Sequence, residues 1–267
     1  MKTSTARGSG HQESSARSVG QLRVMTYRNR TAAGEAAGLA AAAAIRKALA
    51  RQAQARVMFA AAPSQTVLLA TLRSASGIEW SRVSVFDMDE YIGLRPDAPQ
   101  RFGRFLTDNL FRAVTPGNVH LLQPEPDPQA ECDRYTELLS EAPIDVVCLG
   151  IGENGHLAFN DPPTADFQDP NLVSVVKLTD ASRTQQVSDG LFDTLQAVPS
   201  RAITVTIPTL LRGREIICTA IGRRKRRAVH DALTGPIDAI CPASILRTHP
   251  ACALYLDAAA ALDSDRL

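Results

Sequence analysis

Apolar residues in this chain gather into short unbroken runs, and segments of helical character separate one run from the next. The runs at 56–61, 83–88, 144–149, 172–176, 202–207, 215–221 and 252–256 are rich in β-branched residues and predict strands. Helices are expected at 32–53, 64–73, 101–113, 128–140 and 223–233, with Ser64 near the N-cap of the second. Continuous apolar strands alternating with helices predict an α/β fold: a Rossmann-like, mostly parallel sheet with helices on both faces. Residues 1–20 are rich in Ser, Gly, Arg and Thr and read as a disordered tail ahead of a single domain over 21–267.

Composition narrows the partners. Of 267 residues, 45% are apolar, and 29 basic residues nearly balance 28 acidic ones. A net charge of +1 gives no basic field for nucleic acid, so an anionic ligand needs a local site. No stretch approaches the roughly 18 apolar residues of a membrane span, and the Ala-rich segment 32–44 contains Glu35 and leads into Arg46 and Lys47, as an amphipathic helix would. The five cysteines include no C-x-x-C pair, which fits reduced thiols and a cytoplasmic protein. Histidines and cysteines lack metal-ligand spacing, so no metal site is expected.

Three strand ends carry polar clusters, and in open α/β sheets ligands bind beyond the carboxyl ends of strands. The first, Phe86-Asp87-Met88-Asp89-Glu90-Tyr91, crowds three carboxylates where mutual repulsion and burial raise a pKa toward that of a general base. The second, Gly150-Ile151-Gly152-Glu153-Asn154-Gly155-His156, runs on to Phe159-Asn160-Asp161-Pro162. Its glycine spacing matches a dinucleotide fingerprint, but Pro162 and Pro163 preclude the helix such a motif needs. Asp161, five residues after His156, is positioned to fix the imidazole tautomer. The third, Gly222 followed by Arg223-Arg224-Lys225-Arg226-Arg227, opens a helix and suits a phosphate, although one or two of its charges at most can reach a single ligand.

Together these segments resemble the glucosamine-6-phosphate deaminase family, within the group that also holds 6-phosphogluconolactonases. VSVFDMDEYIGL, LGIGENGHLAFNDP, GRRKRRAV and PASILRTHP carry the resemblance, which spans roughly 56–257. It implies conversion of glucosamine 6-phosphate to fructose 6-phosphate and ammonia, with no cofactor, a sugar phosphate as partner and a homo-oligomer as a possible state. The roles it implies are Asp89 as the base at C2, His156 at the ring oxygen and O1, and Asp161 as the partner of His156. It further places Asn154 in the catalytic group, and Ser64, Gln65, Thr66, Glu90, Gly155 and Lys225 at the substrate or its phosphate.

Three positions depart from the family pattern, one of them the stretch 173–186, which lacks the basic residues of allosterically regulated members, so neither that regulation nor a hexamer is expected. Asn154 stands where many members carry Asp, and Asn cannot act as a base. The first phosphate loop reads Ala60-Ala61-Ala62-Pro63-Ser64, where the family has glycine, and Pro63 removes one N–H donor. These departures keep two alternatives open: a different sugar-phosphate isomerase, deaminase or lactonase reaction, or a sugar-phosphate sensor without catalysis.

Overall fold

Strands and helices alternate through the first half of the chain in the computed structural model, which describes residues 13–262. A hairpin of β1 (Glu13–Val19) and β2 (Leu22–Tyr27) leads to α1 (Arg30–Leu49), β3 (Ala55–Phe59), α2 (Thr66–Ser74), β4 (Val83–Asp87) and β5 (Asp89–Tyr91). Then come α3 (Phe102–Leu106), a π turn (Thr107–Phe111), α4 (Arg112–Val114), β6 (Asn118–His120), α5 (Pro128–Ser140) and β7 (Val146–Gly150). The remainder is β8 (Val173–Lys177), α6 (Asp180–Ser188), β9 (Arg201–Val205), α7 (Ile207–Leu211), β10 (Glu215–Ala220), α8 (Arg226–Thr234) and β11 (Cys252–Asp257).

Eight strands form one sheet in the order β1-β2-β11-β10-β7-β3-β4-β6. Six of its pairings are parallel, and the β1–β2 hairpin is antiparallel. Successive residues of β3 and β7 feed opposite faces. Val57, Phe59, Val146 and Cys148 join one core with α1 and α2; Met58, Val147 and Leu149 join the other with α5 and α8. Burial on both faces is why these strands read as unbroken apolar runs. All five cysteines are buried and unpaired, and no helix among the described residues is long and apolar enough to cross a membrane.

The structure corrects several sequence-based expectations. Residues 172–176 and 202–207 do not join the main sheet: β8 and β9 pair antiparallel with β5 as a second sheet, in the order β5-β9-β8. An apolar run reports burial, not the sheet it belongs to. Residues 13–19, expected within a disordered tail, form edge strand β1, because an edge strand exposed on one face needs few apolar residues; residues 1–12 lie outside the described residues. Ser64 does not cap α2, since it lies inside a 3₁₀ turn (Pro63–Gln65) that precedes the helix and no side chain caps it.

Helices α1 and α2 pack closely because α1 presents Gly34 and Gly38 to its neighbour. A β-carbon at Gly38 would lie 2.5 Å from Cβ of Thr71, and one at Gly34 would lie 2.6 Å from Cβ of Val67. In isolation a Gly→Ala change favours a helix by about 1 kcal/mol, but overpacking costs about 1–3 kcal/mol. Here backbone also stands in the way, with Leu68 O 2.9 Å from the added carbon. Gly38→Ala is therefore expected to lower stability by about 1–2 kcal/mol, read as a drop in the urea midpoint; an unchanged or raised midpoint would show that the helices can move apart at no cost.

Candidate active site

Chain order reverses between β3 and β7: from β3 the sheet continues outward through β4, and from β7 it continues the other way through β10 and β11. Beyond the carboxyl ends of these strands lies a cavity, where such folds bind ligands. Its walls come from the turn after β3, the start of β5, the loop after β7, helix α6 and the turn after β10.

Asp89 opens β5 and faces this cavity while 7% exposed. Burial, reinforced by the charge of Glu90, holds its pKa well above the ordinary carboxylate value. Side chains alternate along a strand, so Glu90 turns the other way. Its carboxylate accepts from the backbone N–H groups of Tyr91 (2.9 Å), Phe102 (3.3 Å) and Gly103 (3.2 Å). It thereby ties β5 to the start of α3 and makes no part of the cavity wall, contrary to the substrate contact expected for it.

His156 sits across the cavity on the glycine-rich loop, 8% exposed. Its Nδ1 lies 3.1 Å from both Asp161 Oδ1 and Ser182 Oγ, which leaves Nε2 as the ring nitrogen free to serve a ligand. A β-carbon at Gly152 would fall 2.3 Å from the imidazole, so the ring can lie against the loop because that residue is glycine. Ala158, another wall residue, holds φ at 50°, a strained backbone of the kind that concentrates at functional sites.

Asp161 is the anchor of this half of the site. It accepts from Asn154 Nδ2 (2.9 Å), Ser182 Oγ (2.5 Å) and Thr179 Oγ1 (3.0 Å) in addition to facing the imidazole. Burial pushes its pKa up, but His156 and the Ser182 and Asn154 donors outweigh that and bring it down to about 2. Thr179 also accepts from Ser182 N as the N-cap of α6, so a fixed negative charge stands at a helix N-terminus, a favourable placement. Asn154 thus serves as a donor to Asp161 and, through Oδ1, as acceptor of His156 N (3.2 Å). It stands behind the anchor, outside the cavity wall, rather than in the catalytic group where it was expected. Gly155 likewise shapes the turn: φ is 87°, and a β-carbon there would lie 2.8 Å from Cys241 Sγ.

At the far end, Lys225 lines the cavity; burial lowers its pKa, opposed by Asp189 and Glu153. Arg224 is engaged elsewhere, bridging Glu153 (3.2 Å) and Asp189 (2.6 Å). Ser64 and Gln65 are wall residues, and Gln65 donates to Thr219 Oγ1 (2.8 Å) and Leu149 O (3.3 Å). Its Oε1 is buried with no hydrogen-bond partner among the described residues. Thr66 does not reach the cavity; its hydroxyl bonds back to Pro63 O at 3.1 Å. The structure therefore brings Asp89, His156, Lys225, Ser64 and Gln65 to one cavity, sets Asp161 behind His156, and leaves Glu90, Asn154, Gly155 and Thr66 outside the wall. Helix α6 was missed as a site element. Its residues Ser182, Gln185 and Gln186 are buried, yet they sit in a polar segment with no apolar pattern to signal a buried helix.

A carboxylate of raised pKa, a carboxylate-anchored imidazole and a half-buried lysine around one cavity make a candidate acid–base site on an enzyme of the α/β class. The chain belongs to the glucosamine-6-phosphate isomerases/6-phosphogluconolactonase family, whose sequence profile matches residues 28–254. It is 42% identical over 186 residues to a glucosamine-6-phosphate deaminase of Exiguobacterium sp. (strain ATCC BAA-1283 / AT1b), covering 69% of this chain and 71% of that protein. It is 39% identical over 194 residues to glucosamine-6-phosphate deaminase 1 of Giardia intestinalis, covering 71% of each. Among solved structures, a monomeric glucosamine-6-phosphate deaminase superposes with a TM-score of 0.81 at 27% identity, over 89% of this chain and 98% of that one. A 6-phosphogluconolactonase of Thermotoga maritima shares the fold, with a TM-score of 0.72 at 18% identity over 88% of this chain and 99% of that one.

The placement of Glu90 has a pH consequence. Burial outweighs its three backbone donors and the nearby Arg101 charge and raises its pKa from 4.5 to about 7. A carboxyl whose folded pKa exceeds the unfolded one contributes stability that is full below the unfolded pKa and is lost as pH rises through the folded one. The Glu90 contribution should therefore fade between pH 4.5 and about 7. Glu90→Gln lacks that loss but leaves one backbone donor facing an NH₂ group, so it is expected to be less stable than the parent at pH 5. The gap should narrow by pH 8. Urea midpoints at both pH values check this, and a constant gap would place the titration elsewhere.

Proposed function

We propose that this protein converts glucosamine 6-phosphate and water to fructose 6-phosphate and ammonia. The observation that carries the reading is the convergence of Asp89 and the Asp161-anchored His156 on one cavity with Lys225 at its far end. The deaminases to which the chain is 36–42% identical over most of its length support the same reading.

The chemistry follows from what each group can do. Lys225 supplies a cation for the phosphate, and the Pro63–Gln65 turn closes the same end of the cavity. His156 assists ring opening at the ring oxygen and O1, held in one orientation by Asp161, which stays ionised at any working pH. Asp89 removes the proton from C2 of the open-chain aldehyde and returns it to C1, while His156 delivers a proton to O1. C1 becomes a primary alcohol and C2 a protonated imine. Water adds to C2, the C2–N bond breaks, and ammonia leaves. No electrons are gained or lost overall, because oxidation at C2 balances reduction at C1.

The raised pKa of Asp89 makes it a stronger base than an exposed carboxylate, and it must be ionised to act. The acidic limb of kcat/KM is therefore expected above the ordinary carboxylate range. Ammonia release from glucosamine 6-phosphate tests the activity, and its absence with folded protein would sink the reading. Asp89→Asn should lower kcat by about 10²–10⁴-fold while fructose 6-phosphate still binds within about threefold of the parent. A kcat within tenfold of the parent would remove Asp89 from the role of base.

A further inference from the structure

Helix α6 runs from behind His156 to the cavity wall, to which it contributes Gln185 and Gln186, with Asp189 just past its end. Ser182 stands at the acid–base end, on His156 Nδ1. Asp189 stands at the other end, paired with Arg224 and close enough to Lys225 to influence its charge. From Ser182 to Asp189 the helix climbs about 10 Å. Seven bonds separate C1 of an opened hexose from the phosphorus of its 6-phosphate, an extended reach of roughly 9 Å on ordinary bond lengths. A substrate with C1–C2 at His156 and phosphate at Lys225 therefore runs along α6.

Gln186 sits one turn beyond Ser182 and on the same face, since residues four apart on a helix are neighbours. It lines the cavity and is 5% exposed. Among the described residues, no group hydrogen-bonds its side-chain amide. Its neighbour Gln185 provides the contrast. That amide accepts from Glu153 N at 2.8 Å and donates toward Asp189 Oδ2 at 3.4 Å, so its bonding capacity is used within the protein. The Gln186 amide is not among the fully sealed polar atoms that lack a partner, so it is open to the cavity, where a ligand can supply the bonds that the protein does not. An amide both donates and accepts, which suits a pair of adjacent hydroxyls.

We propose that Gln186 reads the hydroxyls in the middle of the opened sugar, at C3 and C4, and so sets which C4 epimer the site prefers. The inference rests on the sugar-phosphate reading above and extends it to the part of the substrate that neither the acid–base pair nor Lys225 contacts. A site built around a hydrogen bond to a hydroxyl discriminates against an analogue that misplaces it, because the protein group is then left unpaired.

The test uses binding, so that it does not depend on turnover. The probes are the unreactive open-chain 2-amino-2-deoxyhexitol 6-phosphates of gluco and galacto configuration, with inorganic phosphate as a control, measured by calorimetry. The parent is expected to favour the gluco probe. Gln186→Met keeps the volume and removes the amide. It should weaken the gluco probe by about tenfold and bring the two affinities together, with inorganic phosphate unchanged. If Gln186→Met does not fold, Gln186→Glu keeps the shape but loses the donor, and it should likewise erase the preference. Equal affinities for both epimers in the parent would overturn the proposal. So would a preference retained in the variant, or an equal loss for inorganic phosphate. Ammonia release by the parent is scored separately. Without it, Gln186-dependent discrimination upholds this inference and sinks the deaminase reading; with it, unchanged discrimination sinks this inference alone.

Discussion

One buried carboxylate holds the acid–base half of the molecule in place. Asp161 gathers hydrogen bonds from Asn154, Thr179 and Ser182 and faces the imidazole of His156. It thereby joins the glycine-rich loop after β7 to the first turn of α6, two segments that come from different sheets. A charge in this setting is tolerated because its oxygens are satisfied; removing one donor would cost about 1.5–3 kcal/mol. The same bonds keep Asp161 ionised, and that negative charge is what fixes the orientation of His156. Stability and chemistry therefore share one set of contacts.

The opposite half is built on contrast between neighbours. Asp89 and Glu90 are adjacent in sequence and both buried, yet alternation along β5 sends one to the cavity and the other to three backbone donors of its own and of α3. Glu90 holds the strand against the helix, and its charge contributes to the raised pKa of Asp89. The second sheet matters here. By pairing β5 with β9, through Asp89 opposite Thr204, it holds Asp89 over the ends of the main strands, where a turn that was free to move would not.

Much of this architecture was legible in the amino-acid order. Apolar runs located β3, β4, β7, β10 and β11 to within a residue or two, because strands buried on both faces cannot hide their composition. The polar clusters at the ends of β4, β7 and β10 pointed to the cavity, and Asp89, His156, Asp161 and Lys225 came from them. What escaped depends on contacts distant in sequence. Nothing in a polar stretch such as Thr179 to Gln186 announces that Ser182 will meet His156, 26 residues away. Sheet membership of β8 and β9 was equally hidden, since it is set by pairing rather than by local pattern. Four of the expected residues, Glu90, Asn154, Gly155 and Thr66, each lie beside a wall residue or one position removed from it, and each turns its bonds to the scaffold.

The central claim is that Asp89 and His156 act from opposite sides on the first two carbons of a single opened sugar. A crystal structure of the protein with the gluco-configured open-chain amino-hexitol 6-phosphate tests it most directly. The account predicts the Asp89 carboxylate beside C2, His156 Nε2 at hydrogen-bond distance from O1, and the phosphate at Lys225. A ligand that touches one of the two acid–base groups while the other faces a separate space would contradict it.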